Sequence, residues 1–105
     1  MADDDILATL TYDSAKALVG RTYRVRVDNR TVDLTVTSVV RAAEHGPRPK
    51  ELSRDSFSIF FRGPAEVPLP QRMYALAGAS ESFANLFIVP VGRTQDGCDY
   101  EAVFT

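Results

Sequence analysis

Residues 21–40, "RTYRVRVDNRTVDLTVTSVV", alternate apolar and polar side chains with a period of two, a pattern that fits no helix. Tyr23, Val25 and Val27 oppose Arg24, Arg26 and Asp28, and Val32, Leu34 and Val36 resume the apolar set. Successive strand residues point to opposite faces, so this is a strand pair with one dry face and one wet face. "DNR" at 28–30 supplies the turn, with Asn29 expected at positive φ because its short polar side chain tolerates that region. Val39 and Val40 together break the alternation, which marks a bulge or the strand's end.

Further strands follow. "SFSIFFRG" places Phe57, Ile59 and Phe61 on one face and Phe60 on the other, and "RMYALAG" reads as the next strand. "SFANLFIVPVG" is apolar on both faces from Leu86 to Val91, which predicts a central strand. Pro90 has no N–H to give a ladder and belongs at that strand's end or at a bulge. "TQDGCDYEAVFT" closes the chain with an Asp96-Gly97 turn and a strand alternating Tyr100, Ala102 and Phe104 with Glu101 and Val103. Between residues 6 and 20, "ILATLTYDSAKALVG" holds the one expected helix, about two turns long. Thr11 is its N-cap, Asp13 lies in its first turn, and Gly20 takes the left-handed position after its end. Ala15, Leu18 and Val19 share its apolar face, and Leu10 staples its start.

Six short strands after one helix argue for a mainly β fold, a small antiparallel barrel or two-sheet sandwich. The helix would plug an open end or cover a sheet edge. The 105 residues suffice for one domain. Residues 1–8 read as a flexible N-terminus, with "MADDD" frayed and solvated, and 9–105 as a single barrel-like domain. "AAEHGPRPKELSRD", with its prolines, glycine and charges, is a mobile loop.

Charge and cysteine usage narrow the function classes. A net charge of -2 gives no bias toward nucleic acid, so no such partner is expected, and no apolar run is long enough to span a membrane. "MADDDIL" has the wrong charge for a secretory signal, so the expected location is the cytoplasm. The lone Cys98 excludes an internal disulfide and a multi-cysteine zinc site. No phosphate-cradling glycine loop is present, since neither a Lys-Ser pair nor a helix start follows "VGRT". No cofactor is expected.

The residues that can carry chemistry are few. His45, the only histidine, sits in "EHGPRP", where a plain surface role is expected. Cys98 precedes Asp99, whose carboxylate disfavours a thiolate. Asp96, Asp99 and Glu101 gather near the last turn without the regular spacing of a calcium loop, and Asp3, Asp4 and Asp5 are a similar case. A solvated face is the expected role, and no metal site is assigned. Arg21, Arg24, Arg26 and Arg30 would line one side of the first hairpin as a basic face, but Asp28 and Asp33 interleave and dilute it.

"RGPAEVPLPQ", from Arg62 to Gln71, is the segment most open to a binding role. Pro64, Pro68 and Pro70 fix φ and remove donors, so the segment is stiff and resists joining a sheet. As a connection it sets the geometry between two strands. As a docking surface, Arg62, Gly63, Pro64, Val67, Pro68, Leu69, Pro70 and Gln71 would meet a partner, with Val67 and Leu69 presented at low entropic cost. The structural role takes precedence and the docking role stays open.

"FSIFFRGPAEVPLPQRMYAL", "LFIVPVGRTQDGCDYEAVF" and "LTYDSAKALVGRTYRV" together resemble a family of small bacterial proteins known only as a domain of unknown function. The shared features are an FRGP corner, a PLPQ segment before a Tyr, and a closing VPVG…DG…YEAVF, in the same order from Leu10 to Phe104. Genes of that family neighbour tail-collar-like proteins, so the resemblance implies a role beside a phage-tail-like or tail-fibre structure. It carries over no catalytic residue. The loop 43–55 is longer and more charged than the family pattern, which leaves the role of His45 open.

The expected function is therefore a non-enzymatic protein-interaction or assembly module whose partner is a tail-collar-like neighbour. The alternative is a small-ligand-binding barrel, with Arg62, Tyr74 and Tyr100 as polar contacts at its mouth. An enzyme has only His45 and Cys98 to rest on and comes last. Edge strands pairing between copies would give a homodimer, for which no particular residue argues.

Overall fold

The computed structural model describes residues 4–5, 10–41, 56–79 and 81–104. The elements are β1 (Asp4–Asp5), α1 (Tyr12–Lys16), β2 (Thr22–Val27), β3 (Arg30–Arg41), β4 (Phe57–Gly63), β5 (Arg72–Ala77), β6 (Glu81–Thr94) and β7 (Gly97–Phe104). Six antiparallel strands run in the order β6-β5-β2-β3-β4-β7, and pairing of β6 with β7 closes them into a ring. The expected mainly β architecture with one short N-terminal helix is the observed one. The ring's interior is filled by the inward sets that alternation marks, among them Tyr23, Val25, Leu34, Phe57, Ile59, Phe61, Leu76, Phe83, Ile88, Tyr100 and Ala102.

Asp4 and Asp5 are not frayed: their backbone pairs in parallel with Glu81 and Ser82 of β6. The rest of residues 1–8, Asp3 included, and the segment 43–55 with His45 lie outside the described residues.

Closure depends on bulges. β6 pairs Tyr74 with Leu86 but Leu76 with Phe83, so Ala84 and Asn85 together oppose one residue of β5. A second irregularity falls between Pro90 and Gly92, where Val91 is the extra residue against β7. Each bulge bends and twists the strand. One 14-residue strand can thus serve β5 with its first half and β7 with its second. Pro90 stands at such a bulge, as its missing donor requires. Its strand is not dry on both faces, however: Phe87 and Val91 on the outer side are 46% and 49% exposed. In β3 the irregularity is at Thr37, between Val36 and Ser38, and the strand continues through Val39 and Val40 to Arg41. The Thr37 hydroxyl donates to the Phe60 carbonyl at 3.2 Å, which fastens the bulge.

At the first hairpin, Asp28 and not Asn29 takes positive φ, at 55°. Aspartate shares asparagine's tolerance of that region. At the last hairpin Gln95 and Asp96 make the turn, and Gly97 opens β7 opposite Thr94.

The helix is shorter than expected. Thr11 caps it by accepting the Ser14 N–H on its hydroxyl at 3.2 Å, while Ser14 Oγ accepts the Thr11 N–H at 2.8 Å. After Lys16 the backbone tightens: Leu18, Val19 and Arg21 N–H groups bond the carbonyls of Ala15, Lys16 and Leu18. Turns of three residues rotate successive side chains further apart than an α-helix does. Ala15 and Leu18 therefore stay buried with Leu10, whereas Val19 leaves the apolar face and is 48% exposed. Tyr12 packs edge-on against Phe57, which stacks on Phe104. The helix thus covers the end of the ring where β4 begins and β7 finishes.

Candidate functional site

The corner from Arg62 to Gln71 is tied down along its length. Arg62 and Asp99 are register partners across β4 and β7, and the guanidinium forks onto the carboxylate with Nε–Oδ1 at 2.9 Å. This pairing holds the Arg62 guanidinium in its charged form even more firmly than usual. The Val67 N–H closes a turn on the Pro64 carbonyl at 3.3 Å, and Arg93 donates to the Ala65 carbonyl at 2.8 Å. The Leu69 N–H donates to the Tyr100 hydroxyl at 2.8 Å, and the Tyr74 hydroxyl donates to the Pro70 carbonyl at 2.6 Å.

Leu69 is consequently not presented to a partner. It is a core residue, 2% exposed, and Val67 is half-buried against the same core. Three prolines cannot satisfy the segment's backbone by joining a sheet, so side chains arriving from β5, β6 and β7 do so instead. Gly63 is buried as well, which leaves Pro68, Pro70 and Gln71 as exposed members of the expected docking set, with Arg62 exposed but engaged by Asp99.

The polar contacts expected for a ligand are engaged by the fold. Arg62 holds Asp99, Tyr74 holds Pro70 and Tyr100 holds Leu69. Burial pushes the Tyr100 phenol up to about 12 and raises Tyr74 as well, so both hydroxyls stay protonated at neutral pH. Cys98 is buried. Asp99 belongs to Arg62, and Glu101 accepts the Ser58 hydroxyl at 2.6 Å. Among the described residues, no three His, Cys, Asp or Glu side chains are grouped to hold a metal ion. No helix there is long and apolar enough to cross a membrane.

A buried carboxylate lies where β2 and β6 approach. Glu81 is 8% exposed and accepts the Tyr23 hydroxyl at 2.9 Å and the Arg21 guanidinium on the same oxygen, Oε1. Arg21 is held protonated by this contact, while burial raises the Tyr23 phenol above its ordinary range. The Glu81 carbonyl also accepts the Gly78 N–H at 2.9 Å. These contacts fasten the β5–β6 connection to the start of β2.

The outer face of β5, β6 and β7 is the surface that stands out. Met73 and Phe87 are register partners, both pointing outward and about half exposed. Val89 and Val91 extend the apolar surface along β6, and Val103, 61% exposed, continues it on β7. Isolated surface hydrophobes are ordinary, but a contiguous group on one face is the usual mark of an interaction site.

Residues 10–104 match the family model described as a domain of unknown function, DUF6916. The chain belongs to this family. No curated protein and no solved structure matches it. In this DUF6916 domain, the features that sequence reasoning missed had visible signals. Glu81 is two residues from the inward Phe83, which places a carboxylate on the dry face. The second apolar face of 86–91 reads as burial inside the chain; its outward half is an exposed surface instead.

Proposed function

We propose that this DUF6916 domain is a non-enzymatic interaction module that works in the cytoplasm beside a tail-fibre-like assembly. A protein encoded next to it, of the tail-collar-like kind implied by the sequence resemblance, docks on the outer face of β5–β7. The observation that carries this reading is the cross-strand pair Met73 and Phe87, with Val91 further along β6, each about half exposed. Covering such side chains gains roughly 25 cal/mol per Å² of apolar surface, which is the ordinary driving force of association. The engagement of Arg62, Tyr74 and Tyr100 in internal contacts supports this reading over a ligand-binding barrel. The proline corner then serves to fix the strands that present the docking face.

Co-expression with each neighbouring gene product, followed by size-exclusion chromatography, tests the proposal. Co-elution is expected for the wild-type chain and its loss for the M73S/F87S variant. A chain that elutes alone beside every neighbour product, or a complex unaffected by M73S/F87S, would overturn it.

A further inference from the structure

The ladder between β2 and β5 is only two residue pairs long, Arg24 with Ala77 and Val25 with Leu76. Over this short seam lies an outward-facing depression of about 540 Å³. Its floor includes Ala75, Ala77 and Ala84, and Arg24, Arg26 and Thr31 stand along one side. Alanines keep the floor low, and two arginines at i and i+2 on β2 put both guanidinium groups on the same wet face. Asp33, the register partner of Arg24, offsets its charge in part, and no ion pair joins it to Arg26. It approaches Arg24 only to 3.9 Å, with both side chains more than half exposed. Ion pairs of that kind contribute little. Arg26 meets no carboxylate among the described residues. The depression runs on into the apolar surface, because Ala75 adjoins Met73 along the outer side of β5 and Ala84 precedes Phe87 on β6.

We infer that this groove receives an acidic, partly apolar segment of a partner protein, with carboxylates on Arg24 and Arg26 and apolar side chains over the alanines toward Phe87. The inference deepens the interaction reading above and rests on it. A guanidinium offers planar paired donors that match a carboxylate. An apolar floor beside only two arginines favours a peptide over a nucleic-acid backbone, which would draw on a broader basic surface.

The test pans a phage-displayed library of random peptides against the full chain and against its R24A/R26A variant. Both arginines are exposed, and an unchanged thermal melt by circular dichroism would show that the variant keeps its fold. Enriched peptides should combine Asp or Glu with apolar residues and bind R24A/R26A at least about tenfold more weakly. Peptides with no excess of acid, peptides that bind both proteins equally, or no enrichment at all would overturn the inference. Tighter binding of an oligouridylate than of any selected peptide, lost in R24A/R26A, would also overturn it. If the neighbour complex persists and still depends on Met73 and Phe87, such a failure counts against the groove alone; loss of that complex counts against the module.

Discussion

The hydroxyl of Tyr100 accepts the backbone N–H of Leu69 at 2.8 Å across a distance of 31 residues in sequence, and both residues are buried. This bond turns a proline-rich connection into part of the core. In Tyr100→Phe the Leu69 N–H loses its acceptor in a place where water cannot readily replace it. A buried donor left unsatisfied costs about 1–3 kcal/mol. Urea unfolding should register a loss in that range, and limited proteolysis should cut sooner between Pro64 and Gln71. Unchanged stability and unchanged cleavage would show that the bond does not anchor the corner.

Two glycines at positive φ separate backbone strain from crowding. Gly20 has φ +92° and open space around the position a Cβ would take, so Gly20→Ala carries conformational strain only, about 1–2 kcal/mol. Gly97 has φ +155° and lies so close to the next strand that an added Cβ would come within 2.5 Å of the Gly63 carbonyl oxygen. Backbone cannot give way as a side chain can, and overpacking costs a further ~1–3 kcal/mol. Gly97→Ala should therefore destabilise clearly more than Gly20→Ala in denaturant melts. Equal losses would mean that the β6–β7 hairpin shifts to make room.

The inward faces are legible in the sequence because period two admits few alternatives: Tyr23, Val25, Leu34, Phe57, Ile59 and Phe61 all point where alternation sends them. Punctuation is legible too, as with Thr11 at the cap and Pro90 at a bulge. Ring closure is harder to read, because the bulges at Thr37 and at Ala84-Asn85 answer to the bending of the whole sheet, and no local residue demands them. Leu69 shows a second limit. In sequence it looks like one apolar residue between two prolines, and only its long-range partner Tyr100 makes it core. The outer apolar set is misread for a third reason. Alternation tells which residues share a face, but not whether the chain itself covers that face.

Buried phenols set an alkaline limit on the fold. Tyr23 and Tyr100 both have raised pKa values, each mainly from burial, and Tyr100 reaches about 12. A group with a higher pKa folded than unfolded binds more protons in the native state. Its stabilising effect is intact below the unfolded value near 10 and is lost as pH rises toward the folded one. Stability should be flat in this respect below about pH 10 and fall steeply above it. Circular dichroism and phenolate absorbance followed together should change in one cooperative step. Phenolate formation by Tyr23 and Tyr100 with the β-sheet signal retained would contradict the burial argument.

Phe83 and Phe87 lie on the same strand but on opposite faces, one packed edge-on against Tyr23 at 5.4 Å between ring centroids, the other 46% exposed. Removing the Phe83 ring empties part of the barrel interior, and Phe83→Ala should cost about 3–5 kcal/mol. Phe87→Ser removes a ring that the chain itself covers only in part, and should cost about 1 kcal/mol or less. If Phe87 serves a docking face, its substitution should leave urea unfolding nearly unchanged while abolishing co-elution with the partner. A loss of stability for Phe87→Ser comparable to that for Phe83→Ala would place the Phe87 ring among the chain's own packing residues and take away the main support for an outward-facing interface.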